Sequence, residues 1–306
     1  MASFLFGRIV RALVTLWAVL TLVFVLIHAS GDPIAVLAPQ QMNAAERATL
    51  AAALGLNLPL SAQYLRFIAG VLHGNLGVSY YSDTPALPLL LARVPVTLEL
   101  VGLAIVIAAL VGVPLGIAAA LRPGSLADRA LRGLSVLGAS VPTFFLGIVL
   151  IFVFSVLTNL LPASGVGSIA HFIMPAFTLA FFRIAFFTRL VRSALLESLA
   201  QPYVRTARAK GLSEAVVVLK HALRPAALPL VTVVGLQFGQ LFAGTVITET
   251  IFALPGMNRL ALEALFRLDY PIILSYVLVA AAMFVAINFA TDLAYGLIDP
   301  RVRHGA

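Results

Sequence analysis

Charged residues and cysteine are both scarce in this sequence, and each scarcity excludes a class of protein. Asp, Glu, Lys and Arg make up 10% of the 306 residues, whereas 61% of the residues are hydrophobic. Because soluble domains carry about 25% charged residues, the composition excludes a soluble globular protein and indicates an integral membrane protein. The absence of cysteine excludes a disulfide framework and a thiolate metal site, and it leaves the redox compartment open.

Catalytic and nucleotide-binding motifs are also missing. The chain has no G-x-x-x-x-G-K-[ST] loop to hold nucleotide phosphates and no H-E-x-x-H zinc motif. Its histidines fall at helix ends, in loops or in the tail, far apart in sequence, which is typical of interfacial or loop residues rather than metal ligands. They are His28, His73, His171, His221 and His304. We therefore predict no catalytic residue, no metal site and no cofactor in this chain.

Long uncharged runs set the number of membrane spans. A helix needs roughly 20 apolar residues to cross the hydrocarbon core. The run over residues 133–182 is 50 residues long, and it divides at a Gly/Ser/Pro turn near residues 159–170. The other runs cover residues 12–31, 100–122, 225–248 and 270–291. Since the period-2 alternation of a β-barrel is lacking, we predict an all-α integral membrane protein with six transmembrane helices.

Basic residues indicate the topology. The two terminal tails, the 122–132 loop and the 189–224 stretch together hold 14 Lys and Arg, whereas residues 31–94 and 252–271 hold five. By the positive-inside rule, both termini and the 189–224 stretch lie in the cytoplasm. The net charge of +8 therefore reports membrane topology rather than a nucleic-acid partner.

Two further basic features bear on the topology. Residues 1–30 place Arg8 and Arg11 before an apolar run, as a cleaved signal peptide does. That run exceeds the usual length of about 7–15 residues, so we expect a retained first span. Arg183 lies near the membrane and is counted with neither side.

Two short helices are predicted between the first and second spans. Asn43 and Glu46 form a capping-box pattern, and Gly55 follows as a stop signal. Ser61 is expected to cap the second helix, which ends near Gly74. We expect both helices to lie on the outer membrane face.

The longest basic loop carries two further short helices. Pro202 stands at a helix-start position before a helix over Tyr203–Lys210, and Gly211 is expected to form a left-handed C-cap. Ser213 is expected to cap a second helix, Glu214–Leu223, which ends before the next proline. A solvated loop lying on anionic lipid and a docking element for a partner both remain open from these residues alone.

The basic loop Y-V-R-T-A-R-A-K-G-L-S-E (203–214) and eight further motifs, from G-D-P (31–33) to D-P-R-V-R (299–303), resemble the permease subunits of bacterial ATP-binding cassette importers. The similarity is to the first, B-type, subunit of the dipeptide/oligopeptide/nickel permease family. The basic loop Y-V-R-T-A-R-A-K-G-L-S-E is similar to that family's EAA loop, but Arg205 stands at the position of the eponymous glutamate, so that acidic contact is not carried over. The other similar segments are G-D-P (31–33), L-N-L-P-L-S-A-Q-Y (56–64), G-N-L-G-V-S (74–79), R-V-P-V-T-L-E-L (93–100), L-P-A-S-G (161–165), E-T-I-F-A-L-P-G (249–256), D-Y-P (269–271) and D-P-R-V-R (299–303).

The resemblance implies a type I importer permease fold and an external energy source. In this family the first helix of the loop fits a cleft on a cytoplasmic ATPase subunit, and ATP binding swings the membrane helices between inward-facing and outward-facing states. The coupling residues implied are Tyr203, Val204, Arg205, Ala207, Arg208, Ala209 and Gly211. Ala207, Ala209 and Gly211 are expected to permit close approach of the ATPase, so Gly211→Asp or Ala207→Arg should uncouple hydrolysis from uptake without blocking membrane insertion.

The resemblance also implies partners and a division of the chain. The partners are a second homologous permease subunit, two ATPase subunits that bind ATP and Mg, and a periplasmic solute-binding protein, assembled in a bacterial cytoplasmic (inner) membrane. The expected segments are a tail with the first span (1–30), a periplasmic segment (31–93), a five-helix core (94–298) with the coupling loop (193–228), and a cytoplasmic tail (299–306).

Residue spacing on the fifth span predicts two stripes. At 100° per residue, Gly235, Gly239 and Val246 share one face, where glycines suit close helix contact. The opposite face holds Gln237, Gln240, Gly244 and Thr248. Because glutamines are costly in hydrocarbon, this second stripe either lines a translocation pathway or forms interhelical hydrogen bonds. Gly112-x-x-x-Gly116 on the second span is assigned to packing.

Three functions remain possible from the sequence. The favoured one is a permease for di- or oligopeptides, with a metal–chelator complex or glutathione as alternatives within the same family. An ion-coupled secondary transporter is disfavoured, because Glu99, Glu249 and Asp292 all lie near span ends and such carriers usually need a buried ionisable relay. A scaffold membrane protein is the third.

Overall fold

The computed structural model describes residues 2–30, 34, 42–53 and 55–298. The predicted tail 299–306 and the two family-like motifs G-D-P (31–33) and D-P-R-V-R (299–303) lie outside these residues. Within the described residues the regular elements are helices. In chain order they are α1 (Ala2–Ser30), α2 (Ala44–Ala53), α3 (Leu60–Leu72), α4 (Ala86–Leu91), α5 (Val94–Leu121), α6 (Leu126–Ser140), α7 (Thr143–Leu150), α8 (Ala170–Leu199), α9 (Pro202–Ala209), α10 (Glu214–Val216), α11 (Leu223–Gly244), α12 (Val246–Ile251), α13 (Met257–Arg267) and α14 (Tyr270–Ile298), with π-helical stretches at Ile151–Leu157 and Val217–Ala222.

The chain divides into two compact units. Unit 1 comprises Met1–Val96 and Pro255–Val285, and unit 2 comprises Thr97–Leu254 and Ala286–Ala306. Unit 1 therefore contains the short helices α2, α3 and α13, and unit 2 contains the basic loop.

The predicted capping box at the start of α2 is present. The backbone N–H of Asn43 donates to Glu46 Oε2 at 2.8 Å, and the backbone N–H of Glu46 donates to Asn43 Oδ1 at 2.9 Å. Gly55 follows the helix with φ +70°, a conformation that glycine adopts without a steric penalty. The prediction of a capped and glycine-stopped helix is confirmed.

The start of α3 differs from the prediction. Ser61 lies inside the helix, and Pro59 occupies the N-cap position without a side-chain cap. The extended backbone of Pro59 places its carbonyl to accept the N–H groups of Ala62 and Gln63, so the proline sets the helix start and the serine hydroxyl is not needed. Gly74 ends the helix with φ +69°, as predicted.

Asp269 fastens the loop that follows α3 in unit 1. The Ser79 hydroxyl donates to Asp269 Oδ2 at 2.5 Å, and the Tyr80 backbone N–H donates to Oδ1 at 3.3 Å. Burial and the negative charge of Asp269 raise the pKa of the Tyr80 phenol. The segments G-N-L-G-V-S and D-Y-P, far apart in sequence, are thereby held together.

Within the part of the chain that the structure describes, three helical segments are long and apolar enough to cross a membrane: Ala86–Leu121, Ala170–Leu199 and Tyr270–Thr291. The predicted division near residues 159–170 is confirmed, because α8 begins only at Ala170. The predicted third span is interrupted at Val141–Pro142, since a proline lacks the N–H that would continue α6. Shorter apolar stretches occur at Leu13–Leu26, Leu60–Leu72, Thr143–Leu157 and Val233–Phe242.

Glycines bring α5 close to α8 in unit 2. A Cβ added to Gly112 would lie 2.9 Å from Phe187 Cβ, and one added to Gly116 would lie 2.6 Å from Val191 Cβ. The assignment of Gly112-x-x-x-Gly116 to packing is confirmed.

Candidate functional site

The basic loop begins where α8 ends. Gln201 is extended, Pro202 takes the first position of α9, and the helix ends at Ala209. Gly211 then adopts φ +77° and donates its N–H to the Arg208 carbonyl at 2.9 Å. The predicted short helix and glycine corner are therefore present.

The second helix of the loop begins at Glu214, as predicted, but it does not end before Pro225. The chain stays helical from Glu214 through the π-helical stretch into α11, so Pro225 lies within a helix instead of ending one. The wider π-helical turns before Pro225 change the i→i−4 pattern with which a proline ring clashes. Ser213 precedes α10 without a side-chain cap hydrogen bond.

The inner face of α9 packs against its own chain. Val204 is fully buried and Ala207 is 5% exposed, in a cluster with Leu195 of α8 and Val217 and Ala222 of the π-helical stretch. These contacts hold α9 against the helices on either side of it. Ala207→Arg would therefore disrupt packing within the chain, whereas the expectation that Ala207 gives room to a partner stays a prediction.

Hydrogen bonds of Ser198 reinforce this packing. The Ser198 hydroxyl donates to the Ala222 carbonyl at 2.8 Å and lies 2.8 Å from the Tyr203 hydroxyl. The end of α8, the start of α9 and the end of the π-helical stretch therefore meet at one serine.

The outer face of α9 is basic and exposed. Arg205, Arg208, Ala209 and Lys210 are exposed. Two hydrogen bonds join Arg208 to Glu214, at 3.1 and 2.6 Å. They lower the pKa of Glu214 and raise that of Arg208. Within the described part of the chain Arg205 has no ion-pair partner, so it presents its charge outward.

A second arginine–carboxylate pair lies near the start of α6. Arg192 Nε and Nη2 donate to the two oxygens of Asp128 at 2.6 and 3.0 Å, and the Gly124 N–H donates to Asp128 Oδ2 at 3.0 Å. The Asp128 side chain is fully buried, while that of Arg192 is 23% exposed. This pair fastens α6 to α8 on the side of the basic loop.

The four residues of the predicted pathway stripe do not share one environment. Gln237 and Thr248 are buried, at 8% and 1% exposure, whereas Gln240 and Gly244 are exposed. The helix is interrupted at Thr245 between α11 and α12, so a count of 100° per residue does not carry across to Thr248.

Gly235, from the predicted glycine stripe on the opposite face, lies at a close helix contact. A side chain at Gly235 would collide with Thr291 of α14, so this glycine allows α11 to approach α14 within unit 2.

Sequence reasoning missed the buried carboxylate of Glu249. It is fully buried, and its Oε1 accepts hydrogen bonds from the hydroxyls of Thr97 at 2.7 Å and Thr245 at 2.8 Å. Nearby, the Gly165 N–H donates to the Phe252 carbonyl at 3.0 Å. Three of the segments that resemble the permease family, 93–100, 161–165 and 249–256, therefore meet around Glu249. The sequence signal for this shared site was that each of the three segments matches a family motif.

The described residues contain no group of three or more His, Cys, Asp or Glu side chains placed to hold a metal ion.

Comparison with known proteins identifies the family. Residues 112–304 match the family described as "Binding-protein-dependent transport system inner membrane component", and residues 1–101 match its N-terminal component. The chain is 39% identical to the dipeptide transport system permease protein DppB of Escherichia coli, over 99% of both chains. It is 35% identical to the oligopeptide transport system permease protein AppB of Bacillus subtilis, over 99% of this chain and all of the other.

Solved structures support the same fold. A structure of the MetNI methionine ABC transporter in inward-facing conformations aligns with a TM-score of 0.57 at 21% identity, covering 69% of this chain and 96% of the other. At that identity the likeness concerns the fold alone. With family matches over most of the chain and full-length relatives, this protein belongs to the binding-protein-dependent transport system inner membrane components.

Proposed function

We propose that this chain is a permease subunit of an ATP-driven importer and forms half of a translocation pathway for di- or oligopeptides. The observation that carries the proposal is the exposed basic face of α9 on a chain whose full-length relatives are peptide permeases. The chain has no nucleotide-binding motif, so ATP and Mg are bound by partner ATPase subunits.

The basic loop is the element through which an ATPase moves this chain. Arg205, Arg208 and Ala209 face outward, whereas Val204 and Ala207 join α9 to α8 and the π-helical stretch. A force on the outer face therefore reaches two long helices through packed contacts, which is how rigid-body switching is transmitted. Of the seven implied coupling residues, we assign direct contact to those on the outer face, and internal fastening to Val204 and Ala207.

The helices and the distribution of basic residues support a membrane topology. We propose six spans, formed by α1, α5, the α6–α7 segment, α8, α11 and α14, in a bacterial inner membrane. The excess of basic residues puts both termini and the basic loop in the cytoplasm. The short helices α2 and α3 then lie on the periplasmic side, where a solute-binding protein delivers its ligand, and a second homologous permease completes the pathway.

A second candidate substrate is glutathione. The chain is 38% identical to the glutathione transport system permease protein GsiC of Salmonella paratyphi A, over 99% of this chain and all of the other. Because glutathione is itself a small peptide, the same route would accept both, and competition between glutathione and a dipeptide for uptake distinguishes them.

The test is ATP-dependent uptake by the reconstituted complex. The permeases, ATPases and binding protein are placed in proteoliposomes with labelled dipeptide outside and ATP inside. We expect accumulation that requires both ATP and the binding protein. Uptake that persists without ATP and collapses with the proton gradient would instead identify an ion-coupled carrier, and the absence of ATP-dependent flux would support a scaffold role.

A further inference from the structure

Arg183 is a charge within an apolar helix. It is the only charged residue between Phe172 and Thr188, in a helix apolar enough to cross a membrane. It lies thirteen residues after Ala170, which is ~20 Å along the helix axis. A charge at such depth is costly in lipid and usually faces the interior of a bundle or a water-filled cavity.

The face of α8 that carries Arg183 points inward. Ala176, Ala180 and Phe187 lie within about 60° of Arg183 around the helix, and all three are buried. The Arg183 Nε is itself buried and has no hydrogen-bond partner among the described residues. Its guanidinium carbon lies 5.4 Å from the centre of the Phe182 ring, a contact that supplies no hydrogen-bond acceptor.

Gln237 on α11 offers the complementary group. Its side chain is 8% exposed, and its Oε1 is also buried without a partner among the described residues. Both residues belong to unit 2, and α8 packs against α11. A buried donor and a buried acceptor are therefore left unpaired on two neighbouring helices.

The two residues lie at the same depth. The Ser198 hydroxyl and the Ala222 carbonyl are hydrogen-bonded at 2.8 Å, next to the basic loop. Arg183 precedes Ser198 by fifteen residues, and Gln237 follows Ala222 by fifteen residues. At the rise of an α-helix, each residue is therefore ~22 Å from this common point.

We propose that Arg183 and Gln237 form a substrate subsite in the translocation pathway. The guanidinium binds the C-terminal carboxylate of a passing peptide, and Gln237 Oε1 accepts a hydrogen bond from the peptide N–H beside it. This inference rests on the proposed function, because a peptide carries these two groups on its last residue. The alternative is that an acidic residue of the second permease pairs with Arg183. That ion pair would leave the buried Gln237 Oε1 without a hydrogen-bond donor.

The experiment measures direct binding to the assembled permease–ATPase complex without the binding protein. Saturation-transfer NMR in detergent compares an unlabelled tripeptide with its C-terminal amide. We expect the wild-type complex to bind the free acid more tightly. Arg183→Gln should weaken binding of the acid about tenfold, because a charge-assisted bidentate contact is lost, and should leave binding of the amide within about twofold. Gln237→Glu should weaken the acid more than the amide through carboxylate repulsion.

Two controls separate binding from structure. Arg189→Gln removes an exposed arginine of the same helix and should change neither affinity. Arg183→Lys keeps the charge and should retain an intermediate preference for the free-acid peptide. If the Arg183→Gln complex does not assemble, the ratio of the two affinities, acid to amide, measured for Arg183→Lys tests the subsite.

Three results would overturn the subsite: equal binding of acid and amide by the wild-type complex, no effect of Arg183→Gln, or an equal loss for both peptides. The equal loss would indicate an ion pair with the second permease. Failure of the proposed function is a separate result, namely the absence of ATP-dependent uptake by wild-type proteoliposomes.

Discussion

Two arginine–carboxylate pairs in unit 2 share their chemistry and differ in burial. Arg192–Asp128 joins α6 to α8, and its carboxylate is fully buried. Arg208–Glu214 spans the glycine corner of the basic loop, and its side chains are 45% and 56% exposed. Each pair also lies beside a left-handed glycine, Gly124 at φ +78° and Gly211 at φ +77°.

Burial assigns the two pairs different roles. Asp128 is enclosed by Arg192 and the Gly124 N–H, and a buried ion whose partner is removed is strongly destabilising. The Glu214 side chain is 56% exposed, so its ion pair with Arg208 contributes little to stability. The first pair therefore holds the fold, whereas the second shapes a surface that remains available to a partner.

The largest predicted effect is that of Asp128→Asn. The substitution leaves the Arg192 guanidinium without a counter-charge and places an amide N–H among donors. We expect a loss of about 3 kcal/mol in the free energy of unfolding, measured by thermal unfolding of the purified complex. Glu214→Gln is the matched control. Equal shifts in melting temperature for both variants would contradict the assignment of a larger stabilising role to the buried pair than to the exposed pair.

Substitution of the two left-handed glycines should have an intermediate effect on stability, and comparing the two variants distinguishes a loss of stability from a loss of coupling between ATP hydrolysis and uptake. Alanine at Gly124 or Gly211 meets no atom within 4 Å, so each variant carries only the left-handed backbone strain of about 1–2 kcal/mol. We expect similar small decreases in melting temperature. Gly211→Ala alone should lower peptide uptake per ATP hydrolysed, because we propose that its corner presents the face that contacts the ATPase. An equal uptake-to-hydrolysis ratio in both variants would argue against that role.

The smallest effect concerns Glu214 itself. Hydrogen bonds from Arg208 lower the pKa of Glu214, so the pair is present at neutral pH and is lost as the pH falls through that lowered pKa. Glu214→Gln mimics the protonated acid at neutral pH. We expect a change in melting temperature on the order of 1 °C but faster trypsin cleavage after Arg208, where the local order is reduced. Unchanged cleavage would show that the pair does not order the corner.

Local signals in the sequence predicted much of the fold. The Asn43–Glu46 capping box, the turn before α8 and the left-handed Gly211 each follow from a few adjacent residues, and the structure contains all three. These features depend on local backbone chemistry, which a sequence displays directly.

Features that depend on tertiary contacts were not predictable in the same way. Ala207 reads as a small surface residue in sequence, but it packs against the π-helical stretch. Glu249 was placed near a span end, and its burial depends on hydroxyls at Thr97 and Thr245, the first of them 152 positions away. The interruption at Thr245 likewise shifted Thr248 away from the stripe counted from Gln237.

We propose that the outer face of α9 contacts an ATPase subunit. Because the chain lacks cysteine, Arg205→Cys introduces a unique thiol on that face, and Val204→Cys places one on the buried side of the same helix. In the assembled complex we predict that a short thiol-reactive cross-linker joins position 205, but not 204, to an ATPase subunit, with a yield that changes on ATP binding. A residue-205 thiol that reacts freely with a water-soluble maleimide in the complex and forms no ATPase cross-link would contradict the account.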